Sequence, residues 1–251
     1  MSFIKIDYAK PRTRYLDSAL NRLGDNSDTQ TRLNLLKMLA EHFHGPIKPS
    51  DGISDDELNQ WKLPEPLRWW YQLAGRRSEI LSNQNHLLRP DKESPDGSRI
   101  VEDKRILFYS ENQGVYLWSV GWAGNDPPVW GRLNELNVPW TEEGMTLSEF
   151  LIGLCIFESI MQAPYGASVS WIDQNGLSKL TAKLPALQLT PWRWPAFPNR
   201  FYYHKGAFMV ATPNGDLDGA KYYSVWIGAK SAPSVSFLKD LVDDTWEYSQ
   251  L

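Results

Sequence analysis

The sequence is short of the residues that usually announce chemistry. It has one cysteine, Cys155, and four histidines in 251 residues. A lone cysteine excludes an intramolecular disulfide framework, and a chain of this length buries enough surface to fold without a crosslink or a metal. Catalytic thiolates need an electropositive, partly exposed setting. Cys155 sits inside the apolar run IGLCIF, so buried packing is the expectation. There is no G-x-S-x-G nucleophile turn and no glycine-rich phosphate loop ending in Lys-Ser/Thr. No apolar run reaches the length of a membrane span. The longest, around Phe150 to Met161, is interrupted by Gly153 and Glu158. The opening MSFIKIDYAKPRTRY lacks the apolar stretch of a secretion signal, which leads us to expect a soluble, cytoplasmic protein. Excess positive charge is missing too. Lys and Arg number 26 against 30 Asp and Glu, a net charge of −4, whereas nucleic-acid binding needs a basic face.

Metal and acid–base signatures are equally thin. His42 and His44 are two apart in a helical stretch and do not converge as an i, i+4 pair would, while His86 and His204 are isolated. The acidic group Asp51, Asp55, Asp56 and Glu57 fits a helix N-terminus, and Asp240, Asp243, Asp244 and Glu247 fit a solvated helix face. NGDLDG (214–219) lacks the ligand spacing and terminal glutamate of a calcium loop. No cofactor, metal or catalytic residue is expected from these patterns.

Aromatic residues are abundant instead: 12 tryptophans, 11 tyrosines and 9 phenylalanines. Large aromatics serve cores and binding faces alike, so their placement decides. Residues 12–23 carry leucines at helical spacing, and a second amphipathic helix follows with Leu33, Leu36, Leu39, Ala40 and Phe43 on one stripe; Gly24 and Gly45-Pro46 are the stops. LPEPLRWWYQLAG (63–75) reads as a helix with Pro64 in its first turn. The period then changes to that of strands: RILFYS (105–110), VYLWSVG (115–121) and PVWGRL (128–133), joined by Asn112–Gly114 and by GNDPP. MTLSEFLIGLCIFESIM reads as a buried helix that starts on a Thr146/Glu149 capping box and lies across the sheet. FYYHKGAFMVA predicts a hairpin about Lys205-Gly206, YYSVWIG another strand, and SVSFLKDLVDDTW a final helix. The class is α+β, N-terminal helices followed by a mainly antiparallel sheet with a buried helix across it. Residues 1–59 form an N-terminal helical segment, 60–165 a core, and 166–251 a C-terminal α+β extension packed on the same sheet.

The order WKLPEPLRWWYQLAG, ILFYSENQGVYLWSVG, NDPPVWGRLNE and MTLSEFLIGL, over about residues 60–163, resembles the SMI1/KNR4 (SUKH) superfamily. Residues after 166 lie outside that resemblance. It implies an α+β fold without a common catalytic residue, and a protein-binding role. Bacterial members are immunity proteins that neutralise cognate toxins, often nucleases; fungal members resemble regulatory scaffolds. The leading expectation is therefore a non-enzymatic protein whose partner is another protein, a toxin or a regulatory partner. Trp122, Asn125, Asp126 and Trp130, at the β-turn, and Trp192 and Trp194, in PWRWPAFP, are its candidate contact residues. In an extended strand Trp192 and Trp194 face the same way; they either stack on a ligand or clamp the C-terminal segment onto the sheet. Two other readings stand beside it: a carbohydrate- or nucleotide-binding module built on those tryptophans, and a hydrolase whose acids or histidines meet only in the fold.

Overall fold

The computed structural model describes residues 12–21, 23–24, 27–59, 61–88, 100–101, 105–122, 124–214 and 221–251. The stretch NGDLDG (214–219) lies outside these except for Asn214. Helices α1 (Arg12–Leu20) and α2 (Thr29–His44) bury Leu16, Leu20, Leu33, Leu36 and Leu39, the leucines whose spacing predicts them. The Asp28 carboxylate caps α2 by accepting from the Thr31 N–H at 2.7 Å. At the other end Lys230 Nζ donates to the His42 carbonyl at 2.9 Å and Arg77 donates to that of His44 at 3.0 Å, cations where the helix dipole favours them.

Those same cations, together with burial, act on the histidine rings. Burial first, then Lys230, lowers the pKa of His42; burial first, then Arg77, lowers that of His44 to about 4. The neutral rings belong to the folded state, whereas unfolded histidine protonates near 6.5. The stability they contribute is complete above pH 6.5 and is lost as pH falls towards 4. For half-buried rings this amounts to about 1–2 kcal/mol after solvent screening. Thermal melts of wild type and His44→Gln across this window test it. The wild type is expected to lose more stability on acidification than the variant, and equal slopes would refute the assignment.

The acidic group at 51–57 does what a helix start favours. Ser54 and Glu57 form a reciprocal capping box on α3 (Asp55–Leu58), and Asp55 and Glu57 pair with Arg68 and Arg76 at 2.7 and 2.6 Å. Helix α4 (Glu65–Ala74) begins one residue later than expected. Pro64 is its cap and Pro66 occupies the first turn.

The first sheet comprises β1 (His86–Leu87), β2 (Ile100–Val101), β3 (Arg105–Ser110), β4 (Tyr116–Gly121), β5 (Pro128–Leu133) and β6 (Thr141–Thr146). It is antiparallel, in the order β1-β3-β4-β5-β6, with β2 also on β3. Tyr116, Trp118 and Val120 point into the main core, as alternation along β4 requires. Helix α5 (Leu147–Met161) lies across this sheet and is buried on nearly every side.

The C-terminal third builds a second antiparallel sheet from β7 (Tyr165–Asp173), β8 (Arg200–His204), β9 (Ala207–Asn214), β10 (Tyr222–Ala229) and β11 (Tyr248–Gln250), in the order β11-β7-β10-β9-β8. Trp192 and Trp194, from this third, pack on the first sheet, while among the described residues no strand of the second sheet pairs with a strand of the first. The β8–β9 turn is the expected Lys205-Gly206, with φ of 46° and 85°, the left-handed pair that a tight hairpin needs. Strand β10 approaches α5 so closely that a Cβ on Gly228 would lie 2.9 Å from Ile160 Cα. The opposite face of this sheet carries a smaller core with α6 (Gln174–Thr181), α7 (Ala232–Val235) and the 3-10 turn that follows it. The expected final helix is thus shorter than its pattern. Leu238 is buried, while Leu241, Val242 and Trp246 pack on this core from a loop.

Candidate functional site

The six residues singled out from the sequence do not form one surface. Trp130 faces Ser119 across the β4–β5 ladder, whereas Trp118 faces Gly131. Neighbouring pairs point to opposite faces of a sheet. Trp192 and Trp194 pack on the Trp118 side, so they and Trp130 lie on opposite faces. Trp130 is half-buried, with the Arg105 guanidinium 4.4 Å above its ring. Trp122 is half-buried, and its buried indole N–H has no hydrogen-bond partner among the described residues. Asn125 alone of the six is exposed.

Asp126 is a structural cap. Its Oδ1 accepts from the Ser148 N–H at 2.8 Å, and its Oδ2 accepts from the Ser148 and Thr29 hydroxyls at 2.6 and 3.1 Å. It therefore closes the N-terminus of α5 from a loop some twenty residues upstream, with the buried Arg32 3.8 Å away. This replaces the expected capping box. Thr146 makes no side-chain cap and instead accepts from Arg32, while Glu149 turns to the Thr190 N–H and to Arg32.

Trp192 belongs to the core. Its indole stacks on Phe150 at 4.8 Å and 9°, meets Phe201 edge-on at 5.3 Å, and touches α5 where Gly153 leaves room for it. Arg193 continues the clamp by donating its N–H to Glu143 at 3.4 Å and its Nε to the Glu142 carbonyl at 3.2 Å. Trp194 stacks on Tyr116 at 5.0 Å. Of the two readings of PWRWPAFP, the clamp is the one that forms. Glu143 itself is buried and hydrogen-bonded by the Tyr116 hydroxyl at 3.1 Å, and burial raises its pKa.

The buried titratable groups are committed to packing in the same way. Glu158 accepts from three consecutive backbone N–H groups, those of Asn83, Gln84 and Asn85, and from the Tyr109 hydroxyl. Burial pushes the Cys155 thiol up to about 12. Among the described residues no group of three or more His, Cys, Asp or Glu is arranged to hold a metal, and no helix is long and apolar enough to cross a membrane.

Exposure concentrates elsewhere, at a place the sequence reading passes over. Trp171 is 69% exposed, Tyr222 and Tyr248 45%, and Trp226 43%. All four lie on the second sheet. Trp226 and Tyr248 flank Ser168 in register from either side, so the three share one face. Tyr222 shares that face with Trp226 by alternation on β10, and Trp171 meets the Tyr222 ring at 6.1 Å in an edge-on contact. Helix α5 covers this face at the Gly228 end and leaves the Tyr222–Trp226 end open. Beside Trp171 and Tyr222 opens a cleft of about 500 Å³, bounded by β7, α6 and residues 240–246. Alternation along β10 signals a strand here. Which end of a face a helix covers depends on α5, far back in the chain. Compared with family models, with curated proteins and with solved structures, the chain matches none.

Proposed function

We propose that this chain is a protein-recognition module that acts by contact alone, and that its contact surface is the open aromatic face of the second sheet. The observation that carries this reading is the contiguous set Trp171, Tyr222, Trp226 and Tyr248, exposed on adjoining strands. Scattered apolar side chains are ordinary on a surface; a contiguous aromatic set is what interfaces use as anchors. The buried carboxylates support the same reading, since Asp126, Glu143 and Glu158 are each tied to backbone or hydroxyl donors that hold the fold. The resemblance of residues 60–163 to the SUKH superfamily supports a toxin as the partner and an immunity role. The reading takes the protein to act in the cytoplasm, where a lone buried thiol such as Cys155 is ordinary.

Affinity capture from a lysate of the source cell tests it. The wild-type protein is expected to retain a protein partner, and a Trp171→Ala/Trp226→Ala variant to retain less than about a tenth as much, the usual weight of two aromatic anchors. A Trp130→Ala variant is expected to capture as the wild type does. No retained protein, or equal capture by the Trp171/Trp226 variant, would refute the reading.

A further inference from the structure

The cleft meets the aromatic face at Trp171 and Tyr222 but lies on the α6 side of the sheet, beside the smaller core, and differs from the aromatic face in its charge. Trp171, Tyr222 and Trp246 supply its aromatic walls. Among the described residues its charged lining is Asp173, Asp240 and Asp243 against Lys179, three carboxylates to one ammonium. Among the described residues none of the three aspartates takes part in an ion pair. Two of them are held in place through one oxygen each. Asp173 Oδ1 accepts from the Gly176 N–H at 2.7 Å, and Asp243 Oδ1 accepts from the Thr245 N–H and hydroxyl at 2.9 and 2.5 Å. Both Oδ1 contacts are to donors of the cleft wall itself, so the wall fixes the carboxylates without neutralising them.

Charge decides what such a cleft favours. An anion would be repelled by the net negative lining. A neutral sugar would stack on an indole but would draw nothing from the uncompensated charge. A cationic side chain gains twice, from the carboxylates and from the faces of the aromatic rings, and a planar guanidinium adds stacking. We propose that this cleft receives a lysine or arginine side chain presented by a basic segment of the protein partner. The proposal rests on the protein-recognition reading above and names the chemistry of the partner at that surface.

Fluorescence anisotropy of the full-length protein with a labelled nona-arginine peptide, at low and high salt, tests it. The peptide is expected to bind, with affinity falling as salt rises. Asp240→Asn/Asp243→Asn and, separately, Trp171→Ala are expected to weaken binding about tenfold. Asp56→Asn, an exposed carboxylate on α3, is expected to leave it within about twofold as a control for nonspecific attraction. Thermal melts confirm that each variant is folded. Absence of peptide binding, or equal binding by the wild type and the cleft variants, would overturn the proposal. So would cellotetraose quenching tryptophan emission through Trp171 while the peptide has no effect. The two readings fail separately. A natural partner captured equally by wild type and Asp240→Asn/Asp243→Asn sinks the cleft and leaves protein recognition standing, whereas capture of no protein removes both.

Discussion

Truncating Trp192 to alanine is expected to destabilise the fold by about 3–5 kcal/mol, the cost of a large cavity where the surroundings cannot collapse. The indole stacks on Phe150 of α5, sits edge-on to Phe201 of β8 and lies 6.3 Å from Trp118 of β4. It thus joins both sheets to the helix between them. Relaxation is blocked on the α5 side, where the Gly153 backbone already meets the ring: a Cβ there would lie 2.9 Å from it. Urea denaturation followed by far-UV circular dichroism measures the loss. Trp192→Phe, which keeps an aromatic ring in the stack, is expected to lose distinctly less. A Trp192→Ala protein as stable as the wild type would contradict the core assignment and return this tryptophan to the set of surface candidates.

The second large effect is expected at Glu158. Its carboxylate is fully buried, yet it accepts from the N–H groups of Asn83, Gln84 and Asn85 at 2.7, 2.5 and 3.1 Å and from the Tyr109 hydroxyl at 2.6 Å. Hydrogen bonds to a charged acceptor contribute about 1.5–3 kcal/mol each, and a donor left buried without one costs about 1–3 kcal/mol. Glu158→Gln keeps the size but turns an amide N–H₂ towards the same donors. It is expected to cost about 3 kcal/mol or more, and Glu158→Ala more still. Denaturant melts give the magnitude, and hydrogen exchange locates it: the amides of residues 83–85 are expected to lose protection first. A glutamine variant with wild-type stability and wild-type exchange at 83–85 would remove Glu158 from this role.

These two residues show where the sequence was readable and where it was not. The leucine spacing of α2, the alternation of β4 and the all-round apolarity of α5 are local patterns, and each produced the element it indicates. Glu158 reads along the chain only as a break in an apolar run, because its three backbone donors are more than seventy residues away. The α5 cap failed for a related reason. Thr146 and Glu149 have the spacing of a capping box, but Asp126 arrives from the preceding turn and takes the Ser148 N–H, freeing Glu149 for Thr190 and Arg32. Strand β7 escaped notice because YGASVS is built of small residues. Gly166 is small by necessity: a Cβ there would lie 2.0 Å from the Ile227 carbonyl oxygen. The candidate site went the same way. Trp192 and Trp194 were rightly grouped, as alternation along an extended segment requires, but their face is the one that meets α5 and β4. Trp226 lies on a strand that the sequence predicts and Trp171 on one that it does not, and neither reads as exposed along the chain, since exposure is fixed by how far α5 extends over the sheet.

The central claim is that recognition occurs on the second sheet, at the open aromatic face and its acidic cleft. Hydroxyl-radical footprinting of the protein alone and in complex with its captured partner tests this most directly. The expected result is protection of Trp171, Tyr222, Trp226 and Tyr248 together with residues 240–246, and no change at Trp122 and Trp130. Protection centred on residues 122–130, with Trp171 as reactive in the complex as in the free protein, would contradict it.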